Sequence, residues 1–162
     1  MTTVAIGLGS NIDPESNLRQ AAAALRKRWP PLTFSPVYRT KAIGYEDQED
    51  FLNAVAMIDT DDTPEEIHAV LKDIERELKK ATPFPNGPRT IDLDLLLYGN
   101  EQLVIRNSEL IIPHPRMHGR RFVLQPLLDL DIAGNHPKAK ETWEALLKTV
   151  ENQEITRTDL TL

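Results

Sequence analysis

The stretch Gly87-Pro88-Arg89-Thr90-Ile91-Asp92-Leu93-Asp94-Leu95-Leu96-Leu97 reads as a buried strand that carries two carboxylates. Successive strand side chains point to opposite faces, so Ile91, Leu93, Leu95 and Leu97 are expected on one face and Thr90, Asp92, Asp94, Leu96 and Tyr98 on the other. Both aspartates then point the same way, with α-carbons roughly 6.5–7 Å apart at a rise of about 3.3 Å per residue. That spacing lets both reach one cation or a close pair of cations. Paired like charges raise each other's pKa unless a cation compensates them. An open, solvated face is the ordinary setting of Asp-x-Asp; here Leu96 and Tyr98 continue the aspartate face as apolar surface, which favours a covered cleft.

Upstream of this strand, Thr3 to Leu8 alternates as a first strand before the turn-forming Gly9-Ser10-Asn11. Asp13 offers a cap and Pro14 a first helical position for a helix with Leu18, Ala22, Leu25 and Trp29 on one face, stopped by Pro30-Pro31. Gly7-x-Gly9 only superficially opens a dinucleotide fingerprint, because Ile12 replaces the third glycine. Leu32–Thr40 and Phe51–Asp59 read as strands joined by the long acidic connection 41–50. Thr63-Pro64-Glu65-Glu66 is a capping box for a helix whose stripe is Ile67, Leu71, Ile74 and Leu78. The proline-rich 81–88 segment then feeds the aspartate strand.

Downstream, Leu103-Val104-Ile105 is expected to return as an antiparallel neighbour after Gly99-Asn100, followed by the short apolar piece Leu110–Ile112. A helix is expected from Met117 to Leu128, disturbed by Pro126, and a last amphipathic helix through Trp143, Leu146, Leu147 and Val150. Strands and helices alternate without a regular parallel βαβ rhythm, which favours an α+β sandwich with a mixed or antiparallel sheet.

The chain has 162 residues, no cysteine and a net charge of −6. Its length suits one domain over 1–162. Lack of cysteine excludes disulfides, thiolate nucleophiles and cysteine-held metals. The acidic balance argues against nucleic acid as a partner. No apolar run approaches the roughly 20 residues that span a membrane, and Met1–Ile6 lacks the basic start of a signal peptide, so a cytoplasmic location is expected.

Within this acidic chain, Pro113-His114-Pro115-Arg116-Met117-His118-Gly119-Arg120-Arg121-Phe122 concentrates three arginines and two histidines. A solvated basic turn and an anion site are both compatible with that run taken alone. Arginine forks match phosphate oxygens, and a helix starting nearby adds its positive dipole end. Combined with the aspartates, the run points to nucleotide-dependent phosphoryl chemistry, because magnesium is held by one or two carboxylates plus substrate phosphates. No Gly-x-x-x-x-Gly-Lys-Ser/Thr loop is present. Zinc at His114 and His118 is disfavoured, since Pro115 lies between them and no Glu-x-x motif accompanies them.

The Pro-Arg-Thr-x-Asp-x-Asp run at 88–94, together with Gly9-Ser10-Asn11, Tyr38-Arg39-Thr40, Phe51-Leu52-Asn53-Ala54 and Pro113-His114-Pro115-Arg116-Met117, resembles the 6-hydroxymethyl-7,8-dihydropterin pyrophosphokinases of folate synthesis. The likeness runs in order from Val4 to about Leu130. It implies a ferredoxin-like fold, a monomer, and transfer of pyrophosphate from ATP to the pterin hydroxymethyl group with release of AMP. It implies two magnesium ions on Asp92 and Asp94, and ATP contacts from Glu75, Lys80, Arg89, His114 and Arg120. Arg89, Asp92, Asp94 and Arg120 would carry catalysis. Thr40, Ile43, Phe51, Asn53 and Phe122 fall at pterin positions, the two phenylalanines sandwiching the ring and Asn53 bonding its polar edge.

The chain also departs from that family's commonest pattern. Phe84-Pro85-Asn86 stands where Arg-Trp is frequent, Lys41 and Pro115 stand for proline and tyrosine, and Lys79 or Lys80 occupies the region of an arginine. These differences bear on loop closure and ATP affinity more than on reaction type. The alternatives are a γ-phosphoryl kinase that releases ADP and a non-catalytic ferredoxin-like binding module.

Overall fold

The strand β1 (Thr2–Ser10) is the centre of the sheet, paired antiparallel along its length with β4 (Phe51–Thr60) and with β5 (Asp92–Tyr98). The computed structural model describes residues 1–41, 48–78 and 90–162. The helix α1 (Pro14–Arg28) connects β1 to two short strands, β2 (Thr33–Phe34) and β3 (Tyr38–Thr40), both paired to β4. The helix α2 (Pro64–Glu77) connects β4 to β5. The resulting order β5-β1-β4-β3, every neighbouring pair antiparallel, is the ferredoxin-like arrangement.

One face of the sheet is covered by α1 and α2. Leu18, Leu25, Ile67 and Leu71, all fully buried, pack there with Ile6, Ala56 and Leu93. The expected capping box is present on α2: Thr63 Oγ1 accepts the Glu66 N–H, and Glu66 Oε1 accepts the Thr63 N–H. Asp13, expected to cap α1, makes no side-chain capping bond and sits at φ 44°. Asn17 Nδ2 instead ties the turn by donating to the Ile12 carbonyl at 2.5 Å.

The opposite face carries α3 (Arg121–Asp129) and α4 (Trp143–Lys148), whose Leu124, Leu127, Trp143 and Leu146 bury Ala5, Val55, Leu96 and Leu97. The strict alternation expected along β5 fails at its middle. A β-bulge lies between the partners of Ala5 and Ile6, which face Leu97 and Leu95, so Leu96 is the extra residue. As a result Leu97 joins Leu96 on the α3/α4 face, and Tyr98 packs on the α1/α2 side, its hydroxyl donating to the Asp62 carbonyl at 2.9 Å.

Three further expectations are corrected. The strand over 32–40 is split at Ser35–Val37, where Pro36 has no N–H for a ladder and Ser35 bonds Val55 through both its backbone N–H (2.8 Å) and its Oγ (2.9 Å). The β6 strand (Leu103–Ile105) pairs not with β5 but with β7 (Leu110–Ile112) in a separate two-stranded sheet. The helix expected from Met117 begins at Arg121; Met117–Gly119 is a 3-10 turn. A last short strand, β8 (Thr156–Arg157), adds to the β3 edge and was not expected from the sequence.

His136, only 2% exposed, fixes the turn before α4: its Nδ1 accepts the N–H groups of Lys138 (3.2 Å) and Ala139 (2.9 Å), and its ring lies edge-on to Trp143. Burial, with His118 and Lys138 nearby, holds its pKa below the usual 6.5. The unfolded chain takes up this proton near 6.5 and the folded chain resists it, so the contribution is present above that pH and is lost as the pH falls through the folded value. His68 and His114 act in the same sense. Urea midpoints taken at pH 7.5 and 5.5 should therefore fall with acidification, and His136→Asn, which retains an acceptor but cannot titrate, should show a shallower fall.

Candidate active site

The floor of the site is a strip without side chains. Gly9 lies opposite Asp92 on one side and Asn53 on the other, and Gly7 opposite Asp94 and Val55. A Cβ at Gly9 would stand 3.0 Å from Asn53 Oδ1, and one at Gly7 would stand 3.3 Å from Leu96 Cδ1, so larger residues would narrow the space. At a strand spacing of about 4.8 Å, β5 and β4 are roughly 9–10 Å apart across this strip. Above it lies a cavity of about 620 Å³, roofed by the 114–123 segment.

On the β5 side Asp92 and Asp94, both part-exposed, line the cavity with His114, Arg116 and Arg120. The bulge helps to place the basic residues, because the His114 N–H donates to the Leu96 carbonyl at 2.9 Å. Burial, reinforced by the cations of Arg120 and Arg116 and opposed by Asp92, pushes the His114 pKa down to about 4. The ring is thus neutral near pH 7, and since Nδ1 accepts the Arg116 N–H at 3.1 Å, its proton sits on Nε2. Burial and Arg116 also lower the Arg120 pKa, while Asp94 and Asp92 oppose that shift; a guanidinium stays charged throughout.

On the β4 side the lining turns aromatic and amide. Phe51 and Phe122 line the same cavity, and the Arg120 guanidinium lies 5.5 Å from the Phe122 ring centroid. Buried Asn53 donates through Nδ2 to Thr40 Oγ1 at 2.9 Å, which fixes the amide orientation and turns Oδ1 toward the glycine strip. The amide that the sequence leaves unexplained in an apolar strand is therefore anchored by its neighbour on β3.

The end of β1 braces both sides. Ser10 Oγ donates to the Thr90 carbonyl at 2.5 Å, two residues before Asp92. Asn11 Nδ2 donates to Gln48 Oε1 (2.8 Å) and to the Glu49 carbonyl (3.0 Å), two residues before Phe51. Glu75 is buried on α2; its Oε2 accepts the Leu93 N–H at 2.8 Å and its Oε1 pairs with Lys72 Nζ at 3.0 Å. Glu75 thus holds the strand between the two aspartates, and Lys72 rather than Glu75 reaches the cavity.

Of the residues expected at the site, Thr40, Phe51, Asn53, Asp92, Asp94, His114, Arg120 and Phe122 share one cavity. Ile43, Lys80 and Arg89, with Phe84-Pro85-Asn86, lie outside the described residues. Sequence reasoning missed Lys72, whose signal is its place one helical turn before Glu75, and treated Ser10 and Asn11 only as a turn. The donor set fits magnesium: two hard carboxylates on one face of β5, lining the cavity, suit a cation that completes its shell with phosphate and water.

Carboxylates and arginines on the β5 side of one cavity, with aromatic rings and an amide on the β4 side, are the kind of lining found in enzymes that move a phosphorus-containing group between small molecules. Comparison with known proteins narrows the class. A family model described as 7,8-dihydro-6-hydroxymethylpterin-pyrophosphokinase matches residues 5–132. The 2-amino-4-hydroxy-6-hydroxymethyldihydropteridine pyrophosphokinase of Bacillus subtilis is 44% identical over 128 residues, 77% of this chain and 75% of that one. The enzyme of that name from Aquifex aeolicus is 40% identical over 138 residues, 85% of either chain. The chain belongs to the 7,8-dihydro-6-hydroxymethylpterin-pyrophosphokinase family. The fold recurs in a Plasmodium falciparum HPPK-DHPS crystal structure with pterin and p-hydroxybenzoate, at a TM-score of 0.71 and 15% identity; the match covers 91% of this chain and 43% of that one.

Replacing Glu75 tests its structural part. Glu75→Ala deprives the buried Leu93 N–H of its acceptor and should lower stability by about 1–3 kcal/mol in urea unfolding, whereas Glu75→Gln keeps an acceptor and should lose less.

Proposed function

We propose that this protein transfers the pyrophosphoryl group of ATP to the hydroxymethyl oxygen of 6-hydroxymethyl-7,8-dihydropterin and releases AMP, as a step of folate synthesis. The observation that carries the reading is the single cavity in which Asp92 and Asp94 face Arg120 and His114 at one end while Phe51, Phe122 and Asn53 stand at the other. The separation across the glycine strip suits two small molecules bound side by side, one polyanionic and one flat.

In this reading the pterin ring lies between Phe51 and Phe122, with its polar edge on Asn53 and Thr40, since aromatic faces and a few fixed polar groups hold a planar heterocycle well. Arg120, the neutral His114 through Nε2–H, and Arg89 and Lys80 bind the nucleotide phosphates. Ile43 borders the ring, and Glu75 serves ATP through Lys72 and the position of β5. Asp92 and Asp94 hold two magnesium ions, which when bound neutralise phosphate charge. The pterin hydroxyl oxygen forms a bond to the β-phosphorus as the bond from that phosphorus to the α–β bridging oxygen breaks; AMP leaves with that oxygen, and the hydroxyl proton passes to water. No covalent enzyme intermediate is needed, so the protein acts by positioning and by fixed positive charge. A monomeric state and a cytoplasmic location complete the proposal.

Chromatography of the nucleotide product after incubation with ATP, magnesium and the pterin decides among the readings. AMP supports pyrophosphoryl transfer, ADP indicates a γ-phosphoryl kinase, and unchanged ATP indicates a binding module. Asp92→Ala and Asp94→Ala should each lower AMP formation by at least about 100-fold; near-normal rates would remove the pair from the reaction. Phe122→Ala should chiefly raise the KM for the pterin, and an unchanged KM would place the ring elsewhere.

A further inference from the structure

Arg120 and Phe122 come from one short run at the start of α3, where backbone bonds join Arg120 to Met117 and Leu124 but Arg120, at the cap position, makes no side-chain capping bond. The side-chain bonds come from 32 residues further along the chain. Gln153 Oε1 accepts the Arg121 N–H at 3.0 Å, and Gln153 Nε2 donates to the Gly119 carbonyl at 2.9 Å. One amide therefore bonds the backbone on both sides of Arg120. Arg121 returns the contact, its Nη1 donating to the carbonyls of Glu151 (3.0 Å) and Gln153 (2.8 Å). The two side chains cross between the same two backbone segments, so neither segment shifts without breaking a bond of the other.

We infer that Gln153 and Arg121 are positioning residues for the transfer reaction, holding Gly119–Phe122 so that Arg120 meets the phosphates and Phe122 the ring. The inference rests on the assignment of Arg120 and Phe122 given above. Neither Gln153 nor Arg121 lines the cavity, so their effect on turnover runs through the residues between them. The geometry also explains why the amide, and not a hydroxyl or a carboxylate, suits position 153: the site needs one acceptor and one donor on a planar group. Because misplacement of about 1 Å costs up to roughly 100-fold in rate, loosening this brace is expected to show in kinetics before it shows in stability.

The test compares Gln153→Ala, Gln153→Glu and Arg121→Lys with the unaltered protein. Gln153→Ala should raise the KM for the pterin about tenfold and lower kcat, with little change in the melting temperature. Gln153→Glu keeps the acceptor but sets a carboxylate against the Gly119 carbonyl, and should fall between; Arg121→Lys, which keeps a charged donor group, should be milder than Gln153→Ala. In a Phe122→Ala background, Gln153→Ala should add little to the pterin KM. Unchanged KM values in Gln153→Ala, or a loss of rate that only follows a loss of folded protein, would overturn the inference, as would full multiplication of the two KM effects. Amide hydrogen exchange supplies a readout independent of turnover: Arg121 and the first turn of α3 should exchange faster in Gln153→Ala, and unchanged exchange would overturn the brace. Absence of AMP from the unaltered protein would instead overturn the proposed reaction and leave the exchange result to judge the brace.

Discussion

The pairing of β1 between β4 and β5 is the constraint on which the site depends. Its ladder puts Gly7 and Gly9 between the aspartates and Asn53, and a slip of one residue would turn both carboxylates into the α1/α2 core. Register is pinned by the two apolar faces together, since the alternation that buries Ile6 and Leu93 on one side brings Gly7 and Asp94 to the other. The carboxylates thus owe their position to the ladder of a strand whose Val4, Ala5, Ile6 and Leu8 are buried. The residues that approach them from above hang from turns, each tied back by particular bonds: His114 to the Leu96 carbonyl, Arg116 to His114, and Gly119 to Gln153.

Charge in the cavity has a small positive excess among the described residues. Asp92 and Asp94 face Arg116 and Arg120, Lys41 adds a further cation, Lys72 is paired with Glu75, and His114 is kept neutral by burial and by the cations beside it. A triphosphate entering such a site adds several negative charges that the protein does not fully offset. Counter-cations brought with it, held by hard carboxylate oxygens, restore the balance, which is the physical reason that acidic residues suit a site for an anion.

How far this could be read from sequence depended on the range of each signal. The aspartate strand, the capping box of Thr63 and Glu66, and the stripes of α1 and α2 were legible because periodicity and capping are local. The family motifs brought Thr40, Phe51, Asn53, His114, Arg120 and Phe122 into view although no periodicity unites them. Strict alternation puts Leu97 and Tyr98 on the wrong faces because a bulge leaves no mark in a run of leucines. A hairpin signal gives proximity and not pairing, so it does not reveal that β6 pairs with β7. β8 has two exposed residues and no apolar pattern. The bonds of Gln153 and of Ser10 join segments tens of residues apart, and nothing in either segment announces the other.

The bulge at Leu96 also bears on how this strand tolerates changes in length. Its first half carries the carboxylates and its second half closes the α3/α4 core, and the extra residue between them resets the alternation. Deletion of the extra residue Leu96 restores an uninterrupted ladder in which Leu97 still faces Ala5 and Tyr98 still faces Val4, so these two keep their faces and Asp92 and Asp94 keep theirs. Between Asp92 and Leu95 the ladder has no such extra residue, and a deletion there turns one carboxylate, or the leucines after it, to the other face. The strand therefore tolerates a change of length at Leu96 and not in the four residues before it, where spacing and the common face of the carboxylates are one property.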